Sequence, residues 1–123
     1  MRIAVDLDGT ILSFPDFFKE FFKAMQSTGN SVGILTRRPD EESKKMIEVL
    51  ASMGIKPDFY VGMPRGIDKK NYPAGIFKGI ACKDLEIDVL FDDFESDNPQ
   101  MLADFFSVNQ HTEPFTGFAY KVF

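Results

Sequence analysis

A parallel β-sheet covered by helices on both faces is the fold class this sequence predicts. Three observations predict it. Short apolar runs alternate with stretches of helical period along the chain. The apolar runs are nearly continuous, as in strands buried on both faces. The chain has 123 residues, 44% of them hydrophobic and 27% charged, which suits one core but not two domains.

Residues 2 to 7 read as a short buried strand bounded by Asp8-Gly9. Ser13-Phe14-Pro15-Asp16 reads as a helix start: Ser13 can cap, Pro15 suits the first turn and Asp16 complements the positive end of the dipole. The helix that follows places Phe14, Phe17, Phe18, Phe21, Phe22 and Met25 on one side as a core stripe, and Gly29-Asn30 ends it. Ser31 to Leu35 is a second strand that stops at Thr36. Pro39 and three acids open a second helix, for which Gly54 is the left-handed stop. Phe59 to Val61 is a third strand, and a basic loop of residues 62 to 73 follows. Residues 74 to 83 read as a weak helix, because Gly75 and Gly79 lower its propensity. Ile87 to Phe91 is a strong fourth strand, Pro99 to Phe106 a helix and Phe118 to Phe123 a last strand. The expected unit is a single Rossmann-like three-layer domain over residues 1–123.

Composition narrows the function classes. The net charge of -5 argues against general binding of nucleic acid or an anionic membrane, since neutralising phosphates needs clustered Lys and Arg. No apolar run has the length of a membrane span. The lone Cys82 excludes an internal disulfide framework and fits a reducing, cytoplasmic setting. Without a neighbouring His or second Cys, it reads as a packed thiol.

In an open parallel sheet, ligands bind beyond the carboxyl ends of the strands. Three predicted strands end there in polar residues: Asp6-Leu7-Asp8-Gly9-Thr10, Thr36-Arg37-Arg38 and Asp92-Asp93. Asp6 and Asp8, two apart on a strand, are expected to face one reacting group. One carboxylate could attack an electrophile while the other manages the proton. Gly9 permits a sharp turn directly after them. Thr36 could bind a phosphate oxygen or merely cap the next helix, and either Arg37 or Arg38 could hold an anion through its fork of donors. With Asp97, five aspartates would meet at one edge, which calls for a cation; Mg²⁺ suits oxygen ligands beside phosphate. Asp97 reads equally as a helix cap. Lys69, Lys70, Lys78 and Lys83 are the candidate counter-charges.

These motifs, in this order, resemble those of the haloacid dehalogenase superfamily of phosphotransferases. Asp6-Leu7-Asp8-Gly9-Thr10 looks like its first motif, Thr36 its second, and Asp92-Asp93 with Asp97 its fourth. Lys70 is the best match to the lysine motif by position, with Lys69 and Lys78 in reserve. The short intervals after Thr10 and after Thr36 leave no space for a cap domain. The resemblance implies a magnesium-dependent phosphatase. Asp6 would be the nucleophile and Asp8 the acid and base, with Thr36 and Lys70 holding the transferring oxygens. Gly9, Thr10, Arg37 and Arg38 would line the substrate site. Mg²⁺ would lie between Asp6, the Asp8 carbonyl and Asp92, supported by Asp93 or Asp97. The expected partner is a small phosphorylated substrate, with a nucleic-acid end as the alternative, acted on by a monomer or homodimer. A non-catalytic phosphate- or metal-binding module is the rival reading, and a receiver domain fits the motif order less well.

Overall fold

The computed structural model describes residues 1–66, 73–93, 99–109 and 118–120. Strands β1 (Arg2–Val5), β2 (Ser31–Pro39), β3 (Tyr60–Met63), β4 (Val89–Phe91) and β5 (Phe118–Tyr120) alternate with helices α1 (Pro15–Ser27), α2 (Ser43–Ser52), α3 (Ala74–Asp84) and α4 (Pro99–Asn109). The sheet order is β3-β2-β1-β4-β5, and every paired neighbour runs parallel. The chain winds outward from β1 to β3, then returns through α3 to the other side of β1. The fold is therefore Rossmann-like α/β, with the switch in winding direction beside β1.

The pleat divides the core into two layers. Ile3, Val5, Val32 and Ile34 face α1 and α2, where they meet Phe18, Phe22, Met46 and Leu50. Ala4, Leu35 and Leu90 face α3 and α4, where they meet Phe77, Cys82, Met101 and Phe105. Alternate strand residues thus serve opposite layers, as the period of two requires.

Several elements differ from the sequence expectation, each for a physical reason. Ser13 does not cap α1: Phe14 occupies the cap position without a side-chain bond, and Pro15 starts the helix lacking an N–H that would need a partner. Only part of the phenylalanine stripe is core. Phe18 and Phe22 are buried, whereas Phe14 and Phe17 are 39% and 61% exposed, because the stripe is wider than the contact with the sheet. Strand β2 runs past Thr36 to Pro39, since Pro39 pairs with Met63 beyond a shift in register. Arg37 and Arg38 therefore lie on a strand rather than at a helix entry. The acids Asp40–Glu42 form a separate 3-10 turn before α2.

Helix α3 is firmer than its glycines suggest. Gly75 lets it approach α4 closely: a Cβ there would lie 2.1 Å from the Met101 carbonyl oxygen. Ala74, Gly75, Phe77, Lys78, Gly79, Ala81 and Cys82 are all buried. Burial on both sides, against the sheet and against α4, outweighs the low intrinsic propensity.

Candidate active site

The register of β1 and β4 builds the centre of the site. Ala4 pairs with Leu90 and Val5 with Phe91, so the next residues, Asp6 and Asp92, stand side by side as the two strands end. The Asp6 N–H donates to the Phe91 carbonyl at 2.8 Å and locks this arrangement. Ala4 and Leu90 point toward α3. Two residues further on, Asp6 and Asp92 continue in that direction and meet Lys78. The Lys78 ammonium donates to Asp6 Oδ1 at 2.8 Å and to Asp92 Oδ2 at 2.5 Å. Lys78 is 2% exposed, Asp6 4% and Asp92 0%.

Burial sets the electrostatics of this cluster. Loss of hydration pulls the Lys78 pKa down, but Asp92 and Asp6 pull harder the other way, so it is raised overall and Lys78 remains an ammonium. Burial, the largest influence, pushes Asp6 up to about 7; Lys78 draws it down, while Asp92 and Asp93 push it up. Thr10 donates its hydroxyl to Asp6 Oδ2 at 3.2 Å. Thr10 is fully buried, so it serves Asp6 from behind and does not line the pocket.

The loop after β1 departs from strand geometry. Asp8 is extended, Gly9 has φ 77°, and the Leu12 N–H reaches back to the Leu7 carbonyl at 3.0 Å. Strand alternation is therefore not what brings Asp6 and Asp8 together; they line one pocket as expected, with Asp8 turned toward Arg38 of β2. A Cβ at Gly9 would lie 2.1 Å from Asp93 Oδ2. Only glycine satisfies both this positive φ and that contact.

Asp8 and Arg38 form a two-pronged pair. Arg38 Nε donates to Asp8 Oδ2 and Nη2 to Asp8 Oδ1, both at 2.8 Å. The hydrogen bonds from Arg38 hold the Asp8 carboxyl below its ordinary pKa. Thr36, 1% exposed, accepts the Arg38 backbone N–H on its hydroxyl oxygen at 3.1 Å. Its own O–H is left to donate elsewhere.

These groups surround a pocket of about 520 Å³ lined by Asp6, Asp8, Gly9, Thr36, Arg37, Arg38, Pro39, Lys78, Asp93 and Met101. The fold thus gathers most of the residues singled out in the sequence. Carboxylate oxygens of Asp6, Asp92 and Asp93 lie within 4.8 Å of one another. The donor set is all oxygen, and Lys78 spans two of the three carboxylates. That is a fit for a hard divalent cation. The Asp8 carboxylate is not part of this trio. Lys69, Lys70 and Asp97 lie outside the described residues. From the basic loop, Arg65 pairs with Glu41 at 3.2 Å on the surface.

Among the described residues, the lysine in the site is Lys78, which the sequence reading held in reserve behind Lys70. A signal for it was present. Ala74, Phe77, Lys78, Ala81 and Cys82 fall on one buried helical face, so a lysine stands within an apolar stripe. A lysine there needs buried acids opposite it, and Asp6 and Asp92 supply them.

Comparison with family models, curated proteins and solved structures gives no match. Among the described residues, no helix is long and apolar enough to cross a membrane.

Proposed function

We propose that this chain is a magnesium-dependent phosphomonoester hydrolase of haloacid dehalogenase type, working through an aspartyl-phosphate on Asp6. One observation carries the reading. At the switch point of the sheet, Asp6 is buried in a cluster with Lys78, Asp92 and Asp93, and shares a pocket with Thr36 and Asp8.

Asp6, Asp92 and Asp93 would hold Mg²⁺, which supplies charge neutralisation for the phosphoryl oxygens and keeps the Asp6 carboxyl ionised. Lys78 and Thr10 fix the orientation of the Asp6 carboxylate. Thr36 has its O–H to donate to a phosphoryl oxygen. In the first step an Asp6 oxygen forms a bond to phosphorus, and the bond from phosphorus to the ester oxygen breaks. Asp8 enters as a carboxylate, held so by Arg38. It accepts the proton carried by the monoanionic ester and passes it to the leaving oxygen. In the second step Asp8 removes a proton from water as that water attacks phosphorus. Asp8 gives that proton to the departing inorganic phosphate, and the carboxylates of Asp6 and Asp8 are both regenerated.

The substrate class is a phosphomonoester on a small compound, with a nucleic-acid end as the alternative. The single cysteine supports a reducing, cytoplasmic setting. The test is phosphate release from a panel of phosphorylated metabolites, nucleotides and oligonucleotide ends. Release that depends on Mg²⁺ and is abolished by EDTA and by Asp6→Asn is expected. Tight Mg²⁺ binding with no turnover of any substrate would instead identify a non-catalytic module.

A further inference from the structure

Arg38 follows Thr36 closely in sequence, a place that suggests a phosphate ligand. Its contacts give it another task. Nε and Nη2 each donate to one oxygen of Asp8 at 2.8 Å. Nη1 donates to Met46 Sδ at 3.4 Å and lies 3.9 Å from a Glu42 carboxylate oxygen. All three guanidinium nitrogens are thus directed at the protein. A two-pronged pair fixes direction as well as distance, and here it joins the loop after β1 to the end of β2.

Support of the fold does not account for this arrangement. The Arg38 and Asp8 side chains are 34% and 55% exposed, and ion pairs so open to water contribute little to stability. What the pair determines is the place of one carboxylate. Asp6 and Asp93 belong to the acidic trio, so Asp8 is the described pocket carboxylate that stands apart from it. Asp8 is also the one group in the pocket whose proposed role is to move a proton.

We propose that Arg38 is a positioning residue: it holds the Asp8 carboxyl group at the pocket wall in line with the leaving oxygen, and it is not a ligand of the transferred phosphate. The proposal rests on the phosphatase reading above. As the ester bond breaks, the proton passes from Asp8 to the departing oxygen, and the carboxylate left behind faces the Arg38 fork. Glu42 and Met46 steady the guanidinium from the α2 side.

The test compares wild type, Arg38→Ala and Arg38→Lys on two substrates with Mg²⁺ present. One is an alkyl phosphate, whose leaving oxygen needs a proton. The other is p-nitrophenyl phosphate, whose leaving group departs without one. The expected loss in kcat/KM, which reports the steps up to departure of the leaving group and not the shared second step, is for Arg38→Ala about 100-fold on the alkyl ester, the lower end for loss of positioned acid catalysis, and about threefold or less on the aryl ester. The inhibition constant of inorganic phosphate stays within about threefold, because Arg38 acts through Asp8 and not on the phosphate. Arg38→Lys recovers little because an ammonium cannot form the fork, whereas added guanidinium partly restores Arg38→Ala. In an Asp8→Asn background, removing Arg38 has no further effect on kcat/KM. A raised inhibition constant for inorganic phosphate would make Arg38 a phosphate ligand and overturn the proposal. Equal kcat/KM losses on both esters, or losses additive with Asp8→Asn, would overturn it too. If wild type turns over neither ester, the phosphatase reading fails and this inference falls with it. Wild-type turnover with any of the preceding results sinks the inference alone.

Discussion

Exchanging Lys78 for methionine probes the centre of the site directly. Methionine matches the length of the lysine stem but removes the ammonium that bridges Asp6 and Asp92. Breaking a buried ion pair by deleting one partner costs about 3 to 5 kcal/mol, because the remaining charge has no compensation. Unfolding entropy of about 2.1 cal/mol/K per residue, over 123 residues, makes this a fall in Tm of roughly 12 to 19 °C. The sign of the pH dependence follows from the acids left behind. Without Lys78, which draws the Asp6 pKa down, burial and the neighbouring Asp92 hold Asp6 protonated to still higher pH, further above its range in the unfolded chain. The variant is therefore nearest to wild type in acid and falls further behind as pH rises toward 8. Added Mg²⁺ recovers part of the loss by taking over the neutralisation; occupancy at 100 times Kd returns about 2.7 kcal/mol. Thermal unfolding of both proteins at pH 4.5 and pH 8, with and without Mg²⁺, measures all of this. A Tm loss below about 3 °C, or one equally large at both pH values, would refute the electrostatic account of Lys78.

The remaining predictions concern single features. Asp6 rises from its ordinary 3.8 to about 7 on folding, so the folded state binds more protons than the unfolded one between those values. Its contribution to stability is therefore greatest below pH 4 and declines as pH rises to about 7. Urea unfolding of wild type against Asp6→Asn should show that slope, and Mg²⁺ should flatten it. Gly9→Ala should lower stability by about 1 to 3 kcal/mol through its strained backbone, and impair the site by displacing Asp93. Chemical denaturation and Mg²⁺ titration of the variant check both effects. Cys82 is fully buried, and burial pushes its thiol up to about 12. A thiol reagent should react with it only at the rate of unfolding, and fast labelling under native conditions would contradict its packing.

How much of this was legible in the sequence depended on the kind of interaction involved. The elements and their parallel arrangement were readable because strand and helix periods are local properties. The gathering of Asp6 and Asp92 was readable too, since both directly follow apolar strands and parallel strands share a carboxyl end. Thr36 was read as a strand terminus, yet β2 continues to Pro39; that extension comes from pairing with Met63, a contact distant in sequence. The partners of Asp8 and Arg38 were not readable either. Their pairing depends on the loop at Gly9 turning Asp8 toward β2, a matter of tertiary geometry. Lys78 lay between the two cases. Its apolar surroundings were visible, but two glycines disguised α3, and only contact with α4 through Gly75 shows why that helix is well formed.

The central claim is that Asp6 is a nucleophile toward phosphorus. The most direct measurement is to mix the Mg²⁺-loaded protein with a phosphomonoester that it turns over, quench in acid, reduce with borohydride and map the peptides by mass spectrometry. The account predicts homoserine at position 6, the reduction product of an aspartyl-phosphate, and none in Asp6→Asn. Turnover with Asp6 unmodified, or with the label on Asp92 or Asp93, would contradict it.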